Sequence, residues 1–179
     1  MLSVLGVARR GHATIELISL NEKRREIDAA LKAMESSREW MTETPLILKD
    51  LTIAYLHRAD IYQRLAESDS AQRARYLSDA EQSRTLARKM LPPLRASEES
   101  SDSQYAAVML VSELGSKEEL VSMADDWQKQ KIGSPYAAHF LSMKLATLGE
   151  YDRANQWLAS ELAFYGQGKC NHLNVETFV

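Results

Sequence analysis

The chain has 179 residues and a formal net charge of −3, and 45% of its residues are hydrophobic and 26% charged. This composition predicts a globular protein of about one domain, and the small net charge argues against a protein that binds nucleic acid over its whole surface. Only 7 glycines and 4 prolines are present, which argues against an all-β fold because sandwiches and barrels need many turns.

Apolar residues recur at helical spacing along the first half of the chain, so we predict helices nearly throughout. The first spans 13–40, as one helix or as two pieces with Asn21 as the N-cap of the second. Pro45 marks the start of the next helix, since proline is well tolerated in the first helical turn. An Arg- and Ala-rich helix then runs to Met90, where Pro92-Pro93 is expected to end it.

The second half continues with short helices separated by glycine and proline. Residues 96–103 are rich in Ser and Glu and form the most loop-like segment. Periodicity is weak after Gly166. The helices are expected at about 103–114, 117–131, 136–148 and 151–165.

Two helix pairs of this half repeat each other. Gly115 and Gly149 each stand at the turn of a pair, 34 residues apart. A helix–turn–helix unit with this period is typical of stacked repeats, in which neighbouring pairs share a core because one pair cannot bury its apolar face alone. The same offset relates Leu110 to Lys144, Val111 to Leu145, Leu114 to Leu148, Leu120 to Ala154, and Ala124 to Leu158.

The second of these units resembles the tetratricopeptide repeat (TPR) family. That family places a glycine, an acid and a tyrosine at the turn, and Gly149, Glu150 and Tyr151 match, with the small Ala154 following. The resemblance implies an all-α, right-handed stack of antiparallel helix pairs. The implied organisation is an N-terminal cap or divergent helix pair at 1–45, helix pairs at 46–95, 102–133 and 135–168, and a C-terminal tail at 169–179.

The resemblance also implies a function, because the first helix of each TPR pair lines a concave surface that holds a segment of a partner protein. The lysines and asparagines with which chaperone-tail binders of the family hold a terminal carboxylate are missing. Aromatic residues and methionine stand there instead, and they suit an apolar or amphipathic segment. The predicted groove residues are Leu56, Asp60, Gln63, Tyr105, Met109, Tyr136, His139, Phe140 and Met143.

Other functions stay open. The chain could self-associate through an uncapped apolar face carrying Trp127, Trp157 and Phe164, or it could be the domain of a regulator that senses a small ligand or a peptide. Arg84 and Arg88 fit a solvated helix face better than an anion-binding stripe.

We expect no enzymatic activity, because the chain carries no catalytic, nucleotide-binding or metal-binding motif. We therefore expect no cofactor and no metal. The lone Cys170 cannot close an internal disulfide, and no stretch approaches the ~18 apolar residues of a membrane span. These observations predict a cytoplasmic protein without membrane insertion or a nucleic-acid partner.

Overall fold

A computed structural model describes residues 7, 9–10, 18–38 and 44–166, which are mostly helical and contain no β-strand. The predicted all-α class is therefore confirmed. The described helices, numbered in chain order, are α1 (Leu20–Arg38), α2 (Pro45–Ser68), α3 (Arg73–Arg88), α4 (Leu91–Arg95), α5 (Ser101–Leu114), α6 (Lys117–Gln130), α7 (Pro135–Thr147) and α8 (Tyr151–Gly166). None of them is long and apolar enough to cross a bilayer. The predicted tail 169–179 and residues 13–17 and 39–40 of the first predicted helix lie outside the described residues.

Side-chain caps explain several of the helix starts. Thr44 accepts a hydrogen bond from the first turn of α2, and Pro45 follows it. Ser116 and Glu119 form a reciprocal capping box at the start of α6. Ser134 caps α7 in the same way as Thr44 caps α2. The predicted helix breaks at these three places are confirmed.

Two sequence-based predictions of helix ends are wrong. Asn21 is not an N-cap, because α1 already begins at Leu20 and the backbone N–H of Glu22 donates to the Ser19 hydroxyl at 3.2 Å. Pro92-Pro93 does not end a helix either. α3 ends at Arg88, and the two prolines stand at the beginning of the five-residue α4, where a missing N–H costs nothing.

The chain forms two compact units, Met1–Gly115 and Ser116–Val179. The boundary falls inside the predicted pair 102–133, so α5 belongs to the first unit and α6 to the second. The stacking of three helix pairs stays a prediction.

In the first unit, α2 is the central helix and packs against α1, α3 and α5. The stripe that the sequence predicts on α1 is buried and consists of Ile27, Ala30, Leu31 and Met34. The buried apolar residues of α2 occur on several sides of the helix, as expected for a helix surrounded by neighbours. They include Leu48, Leu51, Ala54, Tyr55, Ala59, Ile61, Tyr62 and Leu65.

In the second unit, α7 and α8 form an antiparallel hairpin, since His139 early in α7 contacts Glu161 late in α8 at 3.2 Å. Ion pairs tie α6 to the start of α8. Arg153 contacts Asp125 at 2.8 Å, and Lys117 contacts Glu150 at 2.7 Å. These ion pairs join the two helices in addition to the buried apolar residues Leu120, Ala124 and Ala154.

The two glycines of the repeat differ in backbone conformation, which gives a testable prediction. Gly149 has φ +78° and no atom lies within 4 Å of a Cβ built there, whereas Gly115 has φ −88°. We expect Gly149→Ala to lower the free energy of unfolding by about 1 kcal/mol through backbone strain alone. Gly115→Ala is the matched control and should change it little. Equal losses in chemical denaturation would contradict this distinction.

Candidate functional site

A cleft opens between α2 and α5 of the first unit. The two helices run in the same direction, because Lys49 near the start of α2 contacts Asp102 near the start of α5 at 2.6 Å, while their later turns face each other across the cleft. Its volume is about 370 Å³. It is lined by Ile53, Leu56, His57, Ala59, Asp60, Gln63, Arg84, Met109, Glu113 and Leu114.

Four of the predicted groove residues meet in this cleft. Leu56, Asp60 and Gln63 follow one another at helical steps along α2, and Met109 faces them from α5. Tyr105 stands one turn before Met109 and is not among the lining residues. The lining is apolar where Leu56 and Met109 stand and becomes polar toward the ends of the helices.

Charged side chains occupy the polar end of the cleft. Arg84 reaches it from α3, where its guanidinium donates to Gln63 at 3.2 Å and contacts Glu81 at 3.4 Å. Asp60 is exposed, and its contact with Arg64 is long, at 3.9 Å. Arg84 is therefore held by neighbours, whereas Asp60 faces solvent.

His57 lies in the cleft wall without adding charge. Burial lowers its pKa, the positive charge of Arg10 lowers it further, and Asp60 opposes them. Its Nδ1 atom is buried and has no hydrogen-bond partner among the described residues. The imidazole is consequently neutral at pH 7.

The lowered pKa of His57 predicts how stability depends on pH. The unfolded chain takes up a proton at this residue near pH 6.5, before the folded chain does. We expect the free energy of unfolding to fall as the pH drops below about 6.5, and His57→Gln to make this fall shallower. Urea denaturation at several values between pH 5 and pH 7.5 tests this, and equal slopes for both proteins would contradict it.

The remaining predicted groove residues lie on α7 in the second unit. Tyr136 and Met143 are 65% and 43% exposed, and they share one helix face with His139 and Phe140 because the four stand at steps of three and four residues. The rings of His139 and Phe140 meet edge to face at 5.9 Å. This exposed face of α7 is a second apolar surface of the protein.

Two of the residues predicted for self-association are interior residues. Trp127 and Trp157 are 2% and 4% exposed, so their rings are not available for a surface contact. Phe164 is 37% exposed and lines a second cavity of about 290 Å³ together with Trp157. Of the three, Phe164 is the exposed side chain, and self-association of the chain stays a prediction.

A polar cluster joins α1, α2 and α3, and the sequence analysis did not identify it. Arg58 donates to Asp28 at 2.7 Å and to the Ser83 hydroxyl at 2.7 Å, and its guanidinium lies 4.5 Å from the ring centre of Tyr62. The Tyr62 hydroxyl donates to the second oxygen of Asp28 at 2.8 Å. Burial and this bond raise the pKa of Tyr62 to about 12. The phenol therefore stays protonated and acts as a donor.

A third cavity, of about 290 Å³, lies beside this cluster. Tyr55 lines it and donates to Glu35 at 2.5 Å, and burial together with that bond raises the pKa of Tyr55. Lys32 and Gln82 also line it. Among the described residues, no group of three His, Cys, Asp or Glu side chains is arranged to hold a metal ion.

The comparisons with known proteins identify no relative. No protein-family model matches the chain, and neither a curated protein nor a solved structure matches it.

Proposed function

We propose that the protein is a non-catalytic interaction module whose cleft between α2 and α5 holds an apolar or amphipathic segment of a partner protein. The observation that carries the proposal is the cleft itself, with Leu56 and Met109 on opposite walls and charged groups confined to one end. α2 and α5 run parallel with a cleft between them. An amphipathic helix binds such an apolar groove through its apolar face.

The arrangement of the first unit supports this proposal. α3 returns antiparallel to α2, since Arg58 contacts Ser83 and Tyr62 meets Tyr76 edge to face, and α5 then runs parallel to α2. Successive helix pairs of a TPR array are expected to have this order, with the first helix of each pair on the binding side.

The chemistry of the cleft favours binding over catalysis. His57 is the lining residue best suited to proton transfer, but its Nδ1 atom has no described partner that would orient the ring. A catalytic base is normally held by such a partner.

The proposal is tested by selecting peptides from a random display library on the purified protein and measuring their affinity in solution. We expect amphipathic sequences to be enriched, and Met109→Asp to weaken the selected peptides by at least about tenfold, because it places a charge in the apolar wall. Leu46→Asp is the matched control, since Leu46 is 51% exposed on the same unit and outside the cleft.

Two results would overturn the proposal. One is a selection without enrichment. The other is an equal loss of affinity for Met109→Asp and the Leu46→Asp control. Thermal melting followed by circular dichroism checks that both variants remain folded.

The cavity beside Glu35 and Tyr55 favours a second candidate, a domain that senses a small polar ligand. Its walls combine Lys32, Glu35 and Gln82 with apolar side chains, which suits a molecule carrying both polar and apolar groups. A thermal-shift screen with small metabolites tests it. A shift that Glu35→Gln removes would support it, and a flat screen would contradict it.

A further inference from the structure

We propose that α8 carries a self-association surface through which two copies of the chain pair antiparallel. We call this surface, which consists of Tyr151, Asn155, Leu158 and Leu162, the α8 stripe. None of these residues lines the cleft between α2 and α5, so the α8 stripe is an interaction surface separate from the one proposed for the partner segment.

Exposed apolar side chains are concentrated in the second unit. Among the described residues, seven of the eight large apolar side chains that are exposed lie between Tyr136 and Phe164. Three of them belong to the α8 stripe, where Tyr151, Leu158 and Leu162 are 67%, 43% and 61% exposed. A group of apolar side chains exposed together on one surface marks an interaction site.

The residues of the α8 stripe follow one another at steps of four, three and four. This is the spacing of a coiled-coil seam, and it places the four side chains on one side of the helix. A different side of α8 faces the interior of the unit, since Ala154 and Trp157 are buried. The α8 stripe is therefore a second side of the helix, which the described part of the chain leaves open.

The α8 stripe is complementary to a reversed copy of itself, because its spacing is symmetric about its centre. Antiparallel pairing places Tyr151 opposite Leu162 of the second copy and Asn155 opposite Leu158, and a two-fold axis repeats both contacts. The two copies of Asn155 then stand about 4.5 Å apart along the helices, where their amides can hydrogen-bond. A single asparagine in an apolar seam fixes the register of the pair.

The α8 stripe is uncharged, and the charged groups beside it do not oppose pairing. Arg153 contacts Asp125 at 2.8 Å, and the buried Glu161 contacts His139 at 3.2 Å. Asp152 flanks the stripe, but antiparallel pairing leaves its two copies about 13 Å apart along the helices. A neutral surface suits a second copy of itself better than a highly charged partner.

The exposed area sets the strength of the pairing. The small side chains of Ala159 and Ala163 border the α8 stripe and are exposed as well. Together the six side chains offer about 500 Å² per copy, or about 1,000 Å² in total, which is the lower limit for a specific interface. We therefore expect a weak dimer with a Kd of about 10–100 µM.

Sedimentation velocity of the full chain between about 1 and 300 µM tests the proposal. The average mass should rise from that of a monomer toward that of a dimer. Leu162→Glu places a charge in the α8 stripe of both copies and should raise the Kd at least about tenfold. Leu46→Glu is the matched control, because it makes the same change at a leucine that is 51% exposed in the first unit, and it should dimerise like the unchanged protein.

Three results would overturn the proposal. One is a monomer at every concentration. Another is a dimer that Leu162→Glu leaves intact, since the contact would then lie elsewhere. The third is equal weakening by Leu162→Glu and Leu46→Glu, which would be an effect of net charge.

Disulfide cross-linking tests the antiparallel register without a destabilising charge. Tyr151→Cys and Leu162→Cys are each made together with Cys170→Ser, because Cys170 is the one cysteine of the chain. Mild oxidation should join Tyr151→Cys to Leu162→Cys when the two proteins are mixed, and should join neither to itself to the same extent. Self-linking of Tyr151→Cys as fast as the mixed reaction would contradict the register and overturn the proposed pairing.

Discussion

Replacing Trp127 by alanine is expected to lower the free energy of unfolding of the unit Ser116–Val179 by about 3–5 kcal/mol. Trp127 is 2% exposed and is the largest of the fully buried side chains. Its removal loses the transfer free energy of the indole and leaves a cavity that α6 cannot close by a small shift. Chemical denaturation followed by circular dichroism measures the loss.

The Trp127→Ala variant also tests whether Trp127 stabilises the interior of its own unit or forms a contact between two copies of the chain. Phe164→Ala is the control, because Phe164 is 37% exposed and its truncation should cost less than about 1 kcal/mol. Light scattering over a dilution series reports self-association for both proteins. If Trp127→Ala left stability unchanged and altered the oligomeric state, the interior position of this side chain would be contradicted.

Local signals made most of the helices predictable. The stripe from Ile27 to Met34 has the period of a helix with one buried face, and Pro45 carries a first-turn signal that does not depend on distant contacts. Pro92-Pro93 shows the limit of such signals. Proline is common both just after the end of one helix and in the first turn of the next, and sequence alone does not distinguish these two positions.

The 34-residue offset predicted burial at some positions and failed at others. Leu120 and Ala154 are both buried, as their correspondence requires, but Ala124 is fully buried whereas Leu158 is 43% exposed. Burial depends on which neighbour covers a face. A repeat in sequence does not fix this when the neighbouring helices differ.

Part of the cleft lining was named in advance through the resemblance to the TPR family. That resemblance implies that the first helix of each pair lines a groove, and it supplied Leu56, Asp60, Gln63 and Met109. Arg84 was assigned to a solvated face, because its approach to Gln63 depends on the register between α2 and α3. That register involves partners about twenty residues apart in sequence, which neither periodicity nor a cap residue specifies.

The polar cluster around Arg58 was not predictable, and its energetic contribution is the second large effect we expect. Asp28 and Arg58 are 30 residues apart and meet only after α1 folds against α2. The Arg58 side chain is 17% exposed and makes hydrogen bonds to Asp28, to Ser83 and to the Asp79 carbonyl. Arg58→Met, which keeps most of the volume, should lower the free energy of unfolding by about 2–3 kcal/mol.

The reason for this loss is the group left behind. Once the guanidinium is gone, the Asp28 carboxylate keeps the Tyr62 hydroxyl as a donor at 2.8 Å but loses its charge-assisted bond to Arg58, and the Ser83 hydroxyl loses a donor as well. The Asp28 side chain is 39% exposed, so water replaces part of the lost interaction and the loss stays below that of a fully buried ion pair. Lys49→Met is the matched control, because the pair Lys49–Asp102 is similarly short, at 2.6 Å, but rests on a single contact. That variant should lose less than about 1 kcal/mol.

A double-mutant cycle separates the ion pair from simple packing. If the charge on Asp28 is the cause, Asp28→Asn combined with Arg58→Met should cost about 1–2 kcal/mol less than the sum of the two single variants in urea denaturation. Additive losses would show instead that Arg58 stabilises the unit by packing its guanidinium on the ring of Tyr62, 4.5 Å away. Arg58→Lys then distinguishes the two causes further, because it keeps the cation but lacks the planar fork that bonds Asp28 and Ser83 together.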